Sequence, residues 1–227
     1  MTGCIDDDRV APVVNAWYQK KAASNFYVVQ EDDTIYSIAF AFGLDYRALV
    51  KANNLMPPYP LTPGQRLTMT NEPPTSTQKT IKSTTVGPEA SVVVAVNPMP
   101  EPIHTPVAAW VWPTKGELIQ NFSTRPDGHP GISITGKVGQ RIRAAANGIV
   151  VYSGDGVRGY GNLIIIKHNE TYLSAYAFNQ QNLVTTGDRV QAGQVIARMG
   201  QNDAGRSLLY FEIRRNGLPV NPLKFLM

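Results

Sequence analysis

Two kinds of hydrophobic periodicity divide the chain. Near its start Tyr27-Val28-Val29 reads as a short strand, and apolar positions then recur at Ile35, Ile38, Ala39 and Phe42, the spacing of one helical face. Asp33 and Thr34 stand in front of that pattern as N-terminal capping types. Gly43 closes it. Asp45 opens a second helix carrying Leu49, Val50 and Ala52, which Asn53-Asn54 and the prolines at 57, 58, 60 and 63 break. The segment Gly64 to Met69 supplies a turn and a closing strand. The pattern predicts a small βααβ unit over residues 25–70.

Beyond Val107 the period changes. Apolar runs at Gly148–Tyr152, Asn162–Ile166, Tyr172–Ala177, Val195–Met199 and Leu208–Arg214 are separated by turn signals such as Gly154-Asp155-Gly156 and Asn216-Gly217. Such continuous runs predict strands buried on both faces. Residues 107–227 are therefore expected to be all-β. Residues 71–106 are rich in Pro, Thr and Ser and read as a stiff, extended linker. Within it Ser91–Val96 has strand propensity and could pair with a sheet edge or dock on the following domain. Residues 1–24 show no clear periodicity and, with Asp6-Asp7-Asp8, read as a tether.

Composition adds three points to this picture. No stretch holds the roughly 18 apolar residues that a spanning helix needs. The formal charge of +4 is uneven: 13 Lys/Arg stand against 7 Asp/Glu from Val107 onward. That basic half suggests an anionic partner, but without an aromatic-basic stripe or a nucleic-acid motif it argues against nucleic acid. The single cysteine is Cys4, preceded by Thr2-Gly3.

Four resemblances give these patterns chemical content. Thr2-Gly3-Cys4 resembles the tail of a bacterial lipobox, which implies lipidation of Cys4. Acyl chains bury about 0.8 kcal/mol per CH₂, so several chains anchor stably, and Ile5 in place of Asp implies the outer membrane under the lipoprotein sorting pattern. The order Tyr-x-Val, Asp-Thr-Ile, Ile-Ala, Leu-x-x-x-Asn, Pro-Gly-Gln-x-Leu closely resembles the LysM module, with Asp32 where that family usually has Gly. The resemblance implies binding of peptidoglycan through Asp33, Thr34 and Ile35 on one side and Asn54 and Leu55 opposite. Asp33 and Thr34 also serve as caps, and Ile35 and Leu55 as core.

The third resemblance covers nearly all of residues 110–227 and implies a mainly antiparallel all-β sandwich over 107–227. His129-Pro130-Gly131-Ile132-Ser133, Tyr176-Ala177-Phe178 and Leu208-Leu209-Tyr210-Phe211-Glu212 align with the motifs His-x-Gly-x-Asp, Tyr-Ala-His and His-x-His-Phe-Glu of the LytM/lysostaphin-type zinc peptidases. His129 keeps a metal-ligand position, Ser133 replaces the carboxylate ligand, and Tyr210 replaces an imidazole ligand. Phe178 and Leu208 stand where the family has its two catalytic histidines. A catalytic zinc needs three protein ligands and an open position, and neither a hydroxyl nor a phenol is readily deprotonated at neutral pH. The expectation is a degenerate domain with no catalytic residue, no metal and no cofactor, in which His129 is a surface histidine and His168 is structural. His104 falls in the linker.

Finally, the whole order resembles the NlpD-like outer-membrane lipoproteins, most closely in Arg158–Asn169. That implies an activator of periplasmic N-acetylmuramoyl-L-alanine amidases, docking through the altered groove His129, Ser133, Phe178, Leu208 and Tyr210. Two alternatives remain open. One is a wall-binding tether without a groove partner; the other is a zinc endopeptidase drawing a carboxylate from Asp127, Asp203 or Glu212.

Overall fold

The computed structural model describes residues 26–70, 107, 109–125 and 129–227. Cys4, the 1–24 tether, the 71–106 linker with Ser91–Val96 and His104, and Asp127 lie outside them.

The first module is β1 (Phe26–Val28), α1 (Ile35–Phe42), α2 (Tyr46–Ala52) and β2 (Arg66–Thr68), with β1 and β2 paired antiparallel in the register Tyr27↔Leu67. Local chemistry sets its boundaries. Thr34 caps α1 in a capping box: its side chain accepts from Ser37 N, and the Ser37 side chain accepts from Thr34 N. Gly43 ends the helix in the left-handed region at φ 66°, which costs glycine nothing. Asp45 caps α2, and Asn53 clamps that helix to β2 through Leu49 O, Thr68 O and Thr68 N. Replacing Thr34 with alanine is expected to destabilise the module by about 1 kcal/mol, measured as a shift in the urea midpoint at unchanged m-value.

The second module is β3 (Leu118–Gln120), β4 (Ile132–Thr135), β5 (Arg141–Arg143), β6 (Gly148–Gly154), β7 (Asn162–Lys167), β8 (Tyr172–Asn182), β9 (Arg189–Val190), β10 (Val195–Met199), β11 (Leu208–Arg215) and β12 (Leu218–Val220). Among the described residues these ten strands form one antiparallel sheet. Its main path is β3-β4-β11-β8-β7-β6-β9; β10 pairs with both β5 and the far part of β8, and β12 pairs with β11.

Strand alternation sorts the side chains onto two faces. Ile132, Ile134, Ile164, Ile166, Tyr176, Leu209, Phe211 and Ile213 enter one core. Leu163, Ile165, Ala175, Ala177, Leu208 and Tyr210 point to the other face and share a second core with Val29, Ile35, Phe40, Tyr46 and Leu49 of the first module. The strands are thus buried on both faces because the LysM-like unit covers one of them.

Helix α1 makes this possible. Its sequence IYSIAFAF is apolar on nearly every side, and Ile35 through Phe40 are all buried. A helix apolar all round needs cover all round. Ile35, Ile38 and Ala39 belong to the stripe that the sequence marks as the module's own core. Tyr36 and Phe40, one helical turn apart, meet the sheet instead. The Phe40 ring sits edge-on at 5.2 Å from the Tyr160 ring, and the Lys167 ammonium lies 5.1 Å from the Tyr46 ring centre and 6.0 Å from that of Tyr36.

His168 occupies the end of the opposite core. Its Nδ1 donates to Asn147 O at 2.7 Å, leaving Nε2 to accept from the Ser174 hydroxyl at 2.7 Å. The Ser174 hydroxyl lies 2.9 Å from that of Tyr176, which accepts from Ala145 N. Trp110 packs edge-on against the imidazole. Burial depresses the His168 pKa to about 4, against a smaller opposing effect of the Asn147 carbonyl. Because the folded state refuses a proton that the unfolded chain accepts, stability is full above about pH 6.5 and falls as the pH drops toward 4. The loss at pH 4 is about 3 kcal/mol. Denaturant titrations from pH 7.5 to 4 should show this slope in the native chain and a flatter one in His168→Asn.

Candidate functional site

β4, β11 and β8 lie side by side, and their register assembles the altered groove. Tyr210 pairs with Ser133 on one side and with Ala177 on the other. Leu208 stands two residues before Tyr210 on the same face, and Phe178 follows Ala177. The structure therefore brings Ser133, Leu208, Tyr210 and Phe178 onto one patch. His129 precedes β4 beside Pro130 and is only half-buried; that burial lowers its pKa.

Tyr210 packs closely against Gly131, just before β4. A Cβ on Gly131 would lie 2.7 Å from Tyr210 Cζ and 2.5 Å from Phe211 O, so the phenol packs directly on the glycine backbone. The Tyr210 hydroxyl donates to Glu212 Oε2 at 2.9 Å, and burial beside the Glu212 carboxylate raises its pKa well above the usual value. Glu212 also pairs with Arg214 at 2.5 Å, with both side chains almost wholly buried. Ser133 Oγ donates to Gln120 Oε1 at 3.2 Å. Of the carboxylates named as substitute ligands, Glu212 is committed to Arg214 and Tyr210, and Asp203 is exposed on a turn. Among the described residues there is no cluster of three or more His, Cys, Asp or Glu that could hold a metal.

Phe178 is the unusual residue of the patch. It adopts φ 62°, a region that bulky side chains rarely enter. Register shifts in the pairings of β8 with β7 and with β10 mark a bulge around it. Its N–H donates to Tyr160 O at 2.9 Å, and its carbonyl accepts from Gly200 N at 2.9 Å. These bonds hold the strained backbone in place and keep the ring, only 6% exposed, in the covered core.

The first module shares the core that contains this patch. Tyr160 lies between the two: its ring is 5.2 Å from Phe40 and 5.9 Å from Tyr210. The Arg214 guanidinium stacks 3.7 Å over the Phe40 ring and donates to Phe40 O at 2.8 Å. At the rim Tyr46 Oη donates to Glu170 at 2.6 Å, and Arg47 donates to Asn216 at 2.9 Å. Sequence reasoning missed Phe40, Tyr46, Tyr160, Glu170 and Arg214. The available signal was the all-round apolar character of α1. A concavity of about 720 Å³ lies elsewhere, with Trp112, Lys115, Arg141 and Arg143 in its lining, and includes none of the groove residues.

The glycan-binding candidates are placed differently from one another. The Asp33 carboxylate accepts from Tyr27 Oη and Gln30 N, both at 2.8 Å. Thr34 is the helix cap, Ile35 is 1% exposed, and Leu55 packs partly against the shared core. Asn54 is exposed at φ 51°, next to the open side chain of Met56.

The modules match two family descriptions: LysM domain over residues 27–70 and peptidase family M23 over residues 127–222. The chain thus joins a LysM domain to a mainly antiparallel β domain of the M23 type. The Pseudomonas aeruginosa lipoprotein NlpD/LppB homolog is 41% identical over 249 residues, covering 96% of this chain and 82% of its own length. The Escherichia coli protein named murein hydrolase activator NlpD is 37% identical over 254 residues, covering 88% of this chain and 67% of its own length. Among solved structures, Helicobacter pylori Csd3 is similar with 29% identity and a TM-score of 0.48, over 52% of this chain and 33% of its own. The chain belongs to the NlpD/LppB lipoprotein family.

Proposed function

We propose that this protein is a non-catalytic activator of a periplasmic N-acetylmuramoyl-L-alanine amidase, working in peptidoglycan splitting and daughter-cell separation. The LysM domain holds it on peptidoglycan, and a lipid on Cys4 holds it at the periplasmic face of the outer membrane. Relatives named murein hydrolase activator and outer membrane antigenic lipoprotein support both parts of this reading.

The observation that carries it is the packing of Tyr210 against Gly131. A phenol with a raised pKa, donating to Glu212 and surrounded by Leu208 and Phe178, suits protein contact better than metal chemistry. Well-packed, desolvated aromatic residues are the usual anchors of protein–protein contact. His129, Ser133, Phe178, Leu208 and Tyr210 make the partner-binding groove. Asp33, Thr34, Asn54 and Leu55 form the glycan-binding edge, with Asn54 as the most accessible contact; Ile35, 1% exposed, belongs to the core beneath it.

Elemental analysis of the purified full chain tests the non-catalytic part. This reading expects no stoichiometric zinc. One zinc per chain, lost together with peptidoglycan hydrolysis on chelation, would restore the endopeptidase alternative.

A further inference from the structure

The groove that the proposed function assigns to a partner lies in a core shared with the chain's own LysM domain, which reaches it through Phe40 on Tyr160 and Arg214. Tyr210 is 0% exposed, Leu208 4% and Phe178 6%, so none of these anchors is available to another protein. We propose that the LysM domain is an intramolecular cover for the degenerate M23 groove, and that the amidase docks only on a form from which this cover has moved away. The inference rests on the groove being the docking surface.

Three observations favour a removable cover over a permanently fused core. First, no sheet pairing crosses between the modules among the described residues: β1 pairs with β2, and the ten strands pair among themselves. Separation therefore breaks no backbone ladder. The ties across the boundary are side-chain packing in the shared core, with Phe40 against Tyr160, and the polar links Arg214 to Phe40 O, Tyr46 to Glu170 and Arg47 to Asn216.

Second, residues 71–106 join the modules. Thirty-six residues reach at most about 130 Å when extended, so the domain can leave the groove while still attached, and its high effective concentration favours return.

Third, the fit at the rim is close and local. The β11–β12 turn, Asn216-Gly217, has φ 52° and 77°, and a Cβ on Gly217 would lie 2.7 Å from the Cα and N of Asp45 and 2.8 Å from Leu44 O. That turn touches the cover but is not part of the groove. When the binding-competent form is a minor fraction, the partner's apparent affinity falls by that fraction.

Gly217→Asn exploits this rim. Asn tolerates the left-handed region better than other side chains, so the turn is retained while its Cβ meets the LysM backbone. Tyr46→Phe with Arg47→Ala loosens the same boundary from the other side. Groove access is read as the thiol-labelling rate of Leu208→Cys in a Cys4→Ser full chain, with the melting temperature as a folding check. Separate full chains with native Leu208 are titrated against a purified periplasmic amidase on labelled peptidoglycan.

Both boundary variants should label about tenfold faster and reach half-maximal amidase stimulation at roughly one-tenth of the native concentration. Faster labelling at an unchanged half-maximal concentration overturns the cover and leaves the activator reading intact. Labelling that neither variant accelerates shows a fixed body and also overturns the cover. Absence of stimulation by any chain, despite faster labelling, overturns the activator reading and the gating with it.

Discussion

Arg214→Ala should destabilise the protein by about 3–5 kcal/mol, because it leaves Glu212 charged in a water-free interior. Glu212 is fully buried and Arg214 nearly so, so neither can turn to solvent. The same replacement removes the guanidinium from the Phe40 ring and from Phe40 O, loosening the LysM domain as well. For a chain of this size the loss corresponds to a fall in melting temperature of about 6–20 °C. Buried pairs are expensive mainly when broken, since replacing both charges with apolar groups is often close to neutral. Glu212→Leu combined with Arg214→Met should therefore recover at least about half of the loss. Calorimetry of the two single variants and the double variant checks this; a double variant as unstable as the sum of the singles would show that the pair is not coupled.

Phe178 should carry the largest functional effect. Truncation to alanine removes a buried ring, at about 3–5 kcal/mol, and leaves a residue with a Cβ at φ 62°. Such backbone strain costs about 1–3 kcal/mol, and glycine releases it. Phe178→Gly is thus expected to be about 1 kcal/mol more stable than Phe178→Ala, the reverse of the usual order in a strand. Both should weaken amidase stimulation by roughly 30-fold or more, the equivalent of a 2 kcal/mol interface anchor. Chemical denaturation reads the first effect and titration of the amidase reads the second. Stimulation retained by a folded Phe178→Gly would remove this ring from the docking surface.

The parts legible in the sequence are those fixed by neighbours in the chain. Thr34, Gly43 and Asp45 mark the helix ends because caps and left-handed turns act within a few residues. The Asn216-Gly217 turn and the alternating cores of β7, β8 and β11 follow from equally local chemistry.

What escaped the sequence depends on distant packing. The strands read as buried on both faces, yet nothing in them names α1 as the cover. Phe40 and Tyr160 are 120 positions apart in the chain and meet only because two separately apolar surfaces fit together. Glu212 reads as a spare carboxylate until Arg214, two residues along the same strand face, is seen to claim it. The left-handed Phe178 has no sequence signal at all, because the bulge arises from the paths of the neighbouring strands.

The central claim is that this M23-type domain acts through a partner and not by its own chemistry. It is tested most directly by measuring release of labelled fragments from purified peptidoglycan, with the full chain alone and with a purified periplasmic amidase. The account predicts no release by the chain alone and release with the amidase well above that of the amidase by itself. Release by the chain alone, abolished by a chelator, would contradict it.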